Sequence, residues 1–145
     1  MIRIRPAVVA DAATLAAIEQ TQPTSACWGK SGISSELQSK ASRILCAEKE
    51  GQTVGFICAR AVAEVAEILN FAVLSVCVRQ GIGQALLQRM VADLYRSGVT
   101  EITLEVNEHN QAALALYKKT GFTKIGRRKK FYNNQDDALL LKKML

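Results

Sequence analysis

The chain has 145 residues, 49% hydrophobic and 22% charged, with 19 Lys and Arg against 13 Asp and Glu for a formal net charge of +6. That length fits one compact domain over 1–145, and the apolar content excludes a disordered chain and suffices for a core without disulfide staples. No apolar run approaches the ~18 residues of a membrane-spanning helix, and Met1-Ile2-Arg3-Ile4-Arg5-Pro6 lacks the apolar stretch and cleavage site of a leader. The expectation is a cytoplasmic protein without membrane contact.

Ile2-Arg3-Ile4-Arg5 alternates as a short strand that Pro6 stops. Asp11 is placed to cap a helix carrying Leu15 and Ile18. Ser, Thr and Gly around Trp28 predict a loop from Thr21 to Ser35, followed by a short helix near Ser35 to Lys40. Arg43 to Glu48 and Thr53 to Val62 read as strands joined by the turn Glu50-Gly51-Gln52, which makes a hairpin. Val65 to Val73 is a further strand, and its nearly continuous apolar run from Ile68 to Val73 predicts a central strand covered on both faces.

After Gly81-Ile82-Gly83 comes a helix with Ile82, Leu86, Met90 and Leu94 spaced by four, ended by Ser97-Gly98. Glu101 to Val106 alternates as a strand, with Ile102, Leu104 and Val106 on one face and Thr103 and Glu105 on the other. Asn110 opens a helix to about Thr120, stopped by Gly121, and two last strands fill 122–132 and 137–144. The order β-α-α-β-β-β-α-β-α-β-β is that of a mixed α/β sheet with helices on its faces.

Charge is uneven along the chain. Residues 1–117 hold ten Lys and Arg and eleven Asp and Glu, whereas residues 118–145 hold nine Lys and Arg and two Asp. The run Arg127-Arg128-Lys129-Lys130 has three readings: a solvated positive face, attraction of an anionic cofactor, or contact with ribosomal RNA. Against nucleic acid, aromatic interleaving is limited to Phe131-Tyr132. Cys27, Cys46, Cys58 and Cys77 form no CxxC pair and His109 is the single histidine, so no metal is expected and the cysteines read as reduced, buried, small apolar residues.

Arg79-Gln80-Gly81-Ile82-Gly83-Gln84 stands between a strand and a helix. A helix start offers unpaired N–H groups and the positive end of its dipole, and glycine lets an anion approach the backbone closely, so this stretch is a candidate phosphate or pyrophosphate cradle. A tight turn explains the same residues, and the third glycine of the dinucleotide fingerprint is missing.

Four stretches, taken together, resemble the GNAT superfamily of N-acetyltransferases. They are Asn70-Phe71-Ala72-Val73, Arg79 to Leu87, Leu104-Glu105-Val106, and Asn110 to Tyr117 running into Gly121-Phe122, matching in order and spacing over roughly 65–125. Within it the chain looks most like the bacterial ribosomal-protein-alanine N-acetyltransferases (RimI-like), through Leu-Glu-Val with Asn five positions after the Glu and through Arg127-Arg128, Phe131-Tyr132 and Asp137-Ala138. Leu74-Ser75 stands where that family often has Asp-Pro, and Cys27 where a proline commonly precedes the Trp.

The resemblance implies a mostly antiparallel mixed sheet, splayed between its central strands, with helices on both faces. It implies acetyl-CoA as co-substrate, its pantetheine arm in the splay against main-chain groups of Phe71, Ala72 and Val73. Its pyrophosphate would lie on the N–H groups of Arg79, Gln80, Gly81, Ile82, Gly83 and Gln84, and Asn110 would contact it near the thioester. The implied acceptor is a protein N-terminus, that of a ribosomal protein beginning with alanine, with a small-molecule amine or lysine as alternative and a CoA- or RNA-binding module as the non-enzymatic one. The implied protein is a monomer or weak dimer.

The chemistry assigns roles. An attacking amine must be neutral and a leaving thiolate benefits from a proton, and the matched motif of the resemblance makes Glu105 the candidate general base and Tyr117 the candidate general acid. A solvated strand carboxylate and a packing tyrosine are the plain alternatives. Glu19 and Glu67 are weaker candidates for contact with the amine. Trp28 reads as a packing residue and His109 as a loop residue.

Overall fold

The computed structural model describes residues 1–22, 27–77, 80–132 and 135–145. Its helices and strands follow the expected order: β1 (Ile2–Pro6), α1 (Ala12–Glu19), α2 (Gly29–Leu37), β2 (Ser42–Lys49), β3 (Gln52–Val62), β4 (Val65–Val73), α3 (Ile82–Arg96), β5 (Glu101–Asn107), α4 (Gln111–Lys119), β6 (Thr123–Tyr132) and β7 (Asp136–Met144). The strands form one sheet in the order β1-β2-β3-β4-β5-β7-β6. Every neighbouring pair is antiparallel except β4 and β5.

Two cores sandwich the sheet. On one face Ile82, Leu86, Leu87, Met90 and Leu94 of α3 pack on Leu45, Ile57, Ile68, Ile102 and Leu104, with Tyr117 of α4 and Phe122 at the margin. On the other face Leu15 and Ile18 of α1 and Ile33 of α2 pack on Ile44, Cys46, Phe56, Cys58 and Ala72. The four-residue spacing read in α3 is thus the stripe it buries. Gly55 lets these layers close up: a Cβ there would lie 3.1 Å from Ala72 O and 3.3 Å from Leu86 Cδ1.

The central strand departs from simple alternation. β3 pairs Cys58 with Asn70 and then Ala59 with Ile68, so Leu69 is an extra residue, a β-bulge. The bulge reverses the parity of β4. Ala66 and Ile68 face α3, but Asn70 and Ala72 face α1 and α2, leaving Phe71 and Val73 on the α3 side. The run Ile68 to Val73 therefore spans both cores and is buried or half-buried throughout, as expected, and exposure is confined to the start of the strand, where Val65 is 43% exposed and Glu67 is exposed.

Two expectations are corrected. Helix α2 begins at Gly29, inside the stretch read as loop, and ends at Leu37. Only Ile33 is buried in it, so no apolar period announces the helix, and its start depends on tertiary contacts described below. Asp11 does not cap α1 through its side chain. Its carboxylate instead accepts Nη1 and Nη2 of Arg5, both at 2.8 Å, and the Val8 N–H at 2.8 Å. Arg5 Nε reaches Glu48 Oε2 at 2.9 Å, tying the edge pair β1–β2 to the turn before α1.

Arg5 foremost, and the Val8 N–H, hold the Asp11 carboxyl below its ordinary range against the opposing pull of burial. A depressed folded-state value contributes stability above the unfolded aspartate value, and that contribution drains as pH falls through the folded value. Asp11→Asn is accordingly expected to cost about 1–2 kcal/mol at neutral pH in urea unfolding. The difference from the parent should close as pH drops below about 4; a difference that persists unchanged at low pH would assign the cost to packing.

Candidate active site

Strands β4 and β5 pair in parallel only from Val65 with Glu101 to Ile68 with Leu104. Beyond that, at the Leu69 bulge, they part. The Asn70–Val73 edge of β4 is not paired with β5, and β5 continues against β7 alone, down to Asn107 with Ala138. The bulge falls beside Phe71-Ala72-Val73, whose main-chain groups the resemblance sets against the pantetheine arm.

The start of α3 stands at the mouth of this opening. Gly81 is its N-cap with φ 81°, a left-handed conformation that glycine adopts without strain, and no side chain caps the helix. The first i to i−4 bond runs from Ala85 N to Gly81 O at 3.0 Å, so the N–H groups of Ile82, Gly83 and Gln84 precede the helical ladder. A Cβ on Gly83 would lie 3.7 Å from Phe71, 3.9 Å from Val73 and 3.5 Å from Leu116, so this turn touches both β4 and α4. Arg79 lies outside the described residues.

Two lysines that sequence reasoning missed join this turn. Lys49 Nζ donates to Gln80 Oε1 at 2.5 Å and Lys119 Nζ to Gln84 Oε1 at 3.2 Å. They arrive from the end of β2 and the end of α4. Only the tertiary fold brings them together, and no local motif signals it. Neutral N–H groups, a helix dipole and two ammonium groups make a cradle suited to a pyrophosphate.

Asn110 caps α4, its Oδ1 accepting Ala113 N–H at 3.2 Å. Tyr117 is 5% exposed and its ring lies between Phe71, 6.3 Å away by centroids, and Phe122, at 5.4 Å edge-on. The packing role is therefore real, and the Phe71 contact sets Tyr117 beside the splayed strand on the α3 side.

Glu105 is on the opposite face, with Glu67 and Thr103. Its side chain is 21% exposed and Oε1 lies 2.9 Å from Nη2 of Arg128 on β6. Arg128 also covers the Phe131 ring at 5.2 Å. Arg127 is engaged by Asp137 at 2.6 Å and Glu108 at 3.3 Å. The Asp137 carboxyl is held low first by the Lys130 N–H and then by Arg127. That bond accompanies the irregular register between Arg128 and Tyr132 and the left-handed Lys130, φ 51°. The basic run is therefore bonded into the hairpin at Arg127, Arg128 and Lys130.

The remaining candidates separate. Glu67 is exposed on the Glu105 side. Glu19 is 2% exposed and accepts hydrogen bonds from Trp28 N, Gly29 N and Asn70. Trp28 is half-buried against the α1–α2 core, as a packing residue should be. His109 is exposed, 3.6 Å from Asp136. Among the described residues no group of three or more His, Cys, Asp and Glu is placed to hold a metal ion.

A family model described as the acetyltransferase (GNAT) family matches residues 13–122. The chain belongs to that family. An Escherichia coli (strain K12) relative named ribosomal protein bS18-alanine N-acetyltransferase is 33% identical to this GNAT chain over 96 residues, 64% of the chain. The match spans 65% of that relative's length. A Bacillus subtilis (strain 168) relative, given the same name provisionally, is 31% identical over 116 residues, 79% of this chain and 77% of its own. The crystal structure of the ribosomal-protein-S18-alanine N-acetyltransferase from Escherichia coli superposes with a TM-score of 0.90 at 28% identity, covering 99% of this chain and 94% of that one. The splayed, mostly antiparallel sheet with helices on both faces is the fold of this family.

The cysteines divide, which corrects the reading of four buried ones. Cys46 and Cys58 are buried, while Cys77 is half-buried and Cys27 exposed. Burial foremost pushes the thiols of Cys46 and Cys58 up to about 12. A chromogenic disulfide reagent near pH 8 should therefore titrate no more than two thiols in the native protein and all four in denaturant. Rapid native reaction of a third would contradict the burial described.

Proposed function

We propose that this GNAT protein transfers the acetyl group of acetyl-CoA to a primary amine, the N-terminal α-amine of a ribosomal protein beginning with alanine. The observation that carries the proposal is the parting of β4 and β5 beside a glycine-led helix start, with Tyr117 on one face of the opening and Glu105 on the other. The names of the relatives support the substrate class. Acetyl-CoA supplies the activated acetyl group and departs as CoA.

The residues divide the work by position. The N–H groups of Gln80 to Gln84, joined by Arg79 as the resemblance implies and flanked by Lys49 and Lys119, hold the pyrophosphate. The free edge of Phe71, Ala72 and Val73 aligns the pantetheine arm and offers N–H donors to the thioester oxygen, where charge develops during attack. Asn110, whose cap fixes the start of α4, contacts the cofactor near the thioester. Glu105, on the face open to the acceptor, takes the proton of the amine directly or through a water. Tyr117, on the opposite side, returns a proton to the departing sulfur. Arg128 holds the Glu105 carboxylate from the β6 side, and the amine must share that oxygen or displace the guanidinium.

Mass spectrometry after incubation with acetyl-CoA and peptides beginning with alanine, lysine-bearing peptides or small amines tests the substrate. One acetyl group on the α-amine is expected, and no acetylation of any α-amine peptide would remove the N-terminal assignment. Tyr117→Phe should lower kcat about 100-fold with CoA affinity within about twofold. Equal loss of both, or of neither, would leave the ring as packing only. Replacing Lys49 and Lys119 together by Ala should weaken CoA binding about fivefold at low ionic strength, and the deficit should shrink in about 0.5 M salt. A salt-independent deficit would point to altered packing of the turn.

A further inference from the structure

The last turn of α1 carries a carboxylate that the acetyl-transfer scheme leaves unused. Oε2 of Glu19 accepts Trp28 N–H at 2.9 Å and Asn70 Nδ2 at 2.7 Å, and Oε1 accepts Gly29 N–H at 3.0 Å. One buried side chain thus joins the end of α1, the first turn of α2 and the part of β4 that has left β5. Gln22, three residues on, donates from Nε2 to Val73 O at 2.8 Å. The end of α1 therefore grips β4 at Asn70 and at Val73, on either side of Phe71 and Ala72.

The bond to Glu19 explains only one branch of the Asn70 amide. A carboxylate only accepts, so Nδ2 must face Glu19 and Oδ1 is fixed as the other branch of the amide. Asn70 is 4% exposed, and that Oδ1 is buried with no hydrogen-bond partner among the described residues. An acceptor stripped of water and given no donor carries a cost that the Nδ2 bond to Glu19 has to offset. The residue lies on the α1–α2 side of the sheet, the side that carries Glu105, and the negative charge of Glu19 stands directly behind it. A carbonyl oxygen backed by a carboxylate suits a cationic donor such as an α-ammonium group.

If the chain transfers acetyl groups as proposed above, we propose further that Glu19 and Asn70 form a positioning pair for the amine substrate. Glu19 sets the start of α2, and with it Trp28, in fixed relation to the Phe71–Val73 edge. It also orients Asn70 so that Oδ1 receives N–H donors from the amine end of the substrate. The consequence is selective: the pair governs peptide binding through side-chain atoms and leaves acetyl-CoA to the Gly81 turn and the main chain of Phe71–Val73.

Steady-state kinetics with an alanine-starting peptide and acetyl-CoA varied separately, alongside thermal unfolding, test this. Asn70→Leu should raise the peptide KM about tenfold and keep the acetyl-CoA KM within about twofold, with some loss of Tm from the missing Nδ2 donor to Glu19. Asn70→Ser, which keeps a small polar group, and Glu19→Gln should raise the peptide KM in the same direction, Glu19→Gln with a lower Tm. An unchanged peptide KM in the Asn70 variants overturns the pairing, as does a parallel rise of both KM values in step with lost folded protein. A parent protein that acetylates no amine overturns the activity itself and is recognised before any variant is compared.

Discussion

The single extra residue at Leu69 governs the site. A strand alternates its side chains between two faces, and one inserted residue exchanges the faces for everything beyond it. Before the bulge, β4 is an ordinary central strand with Ala66 and Ile68 in the α3 core. Beyond it, Phe71 and Val73 meet the Gly83 turn and Tyr117, while Asn70 and Ala72 meet α1 and α2. At the same point the partnership with β5 ends. The opening between the strands, the exposed main-chain edge and the division of candidate groups between two faces all descend from that local irregularity.

The surrounding structure holds the opening in place from three directions. Gly55 lets β3 support β4 closely from behind. Glu19 and Gln22 fasten it to α1, and the Phe71–Tyr117–Phe122 aromatic group fastens it to α4. A strand edge without a neighbour is ordinarily the mobile part of a sheet. Here polar bonds and apolar packing on both sides make it a fixed surface, which a ligand-holding edge requires.

Much of this was legible in the sequence because it is written locally. The element order, the buried stripe of α3, the Asn110 cap and the glycine turn before Ile82 each depend on residues within a few positions. What escaped depends on distant partners. Asp11 looks like a cap until Arg5 claims its carboxylate. Helix α2 has one buried residue and begins where Glu19 receives its first two N–H groups. Lys49 and Lys119 reach the Gly81 turn from the ends of β2 and α4, far from it in the chain. The Leu69 bulge was hidden for another reason: an apolar run is compatible with either parity, so its composition does not reveal where the faces exchange. The resemblance to a known family supplied the ligand for the opening, which physical reasoning from the chain reached only as an anion cradle.

The basic hairpin has a further physical meaning. Strand β6 is the last in the sheet, so its outer edge has main-chain groups that another strand could pair with. Its Arg127-Arg128-Lys129-Lys130 run places like charges along that edge, and the left-handed Lys130 with its irregular register interrupts the straight ladder a partner would need. The feature that first suggested an attraction to polyanions also works as a repulsion. Positive charge and a broken ladder at an outer strand both oppose the extension of the sheet by a second copy of the chain.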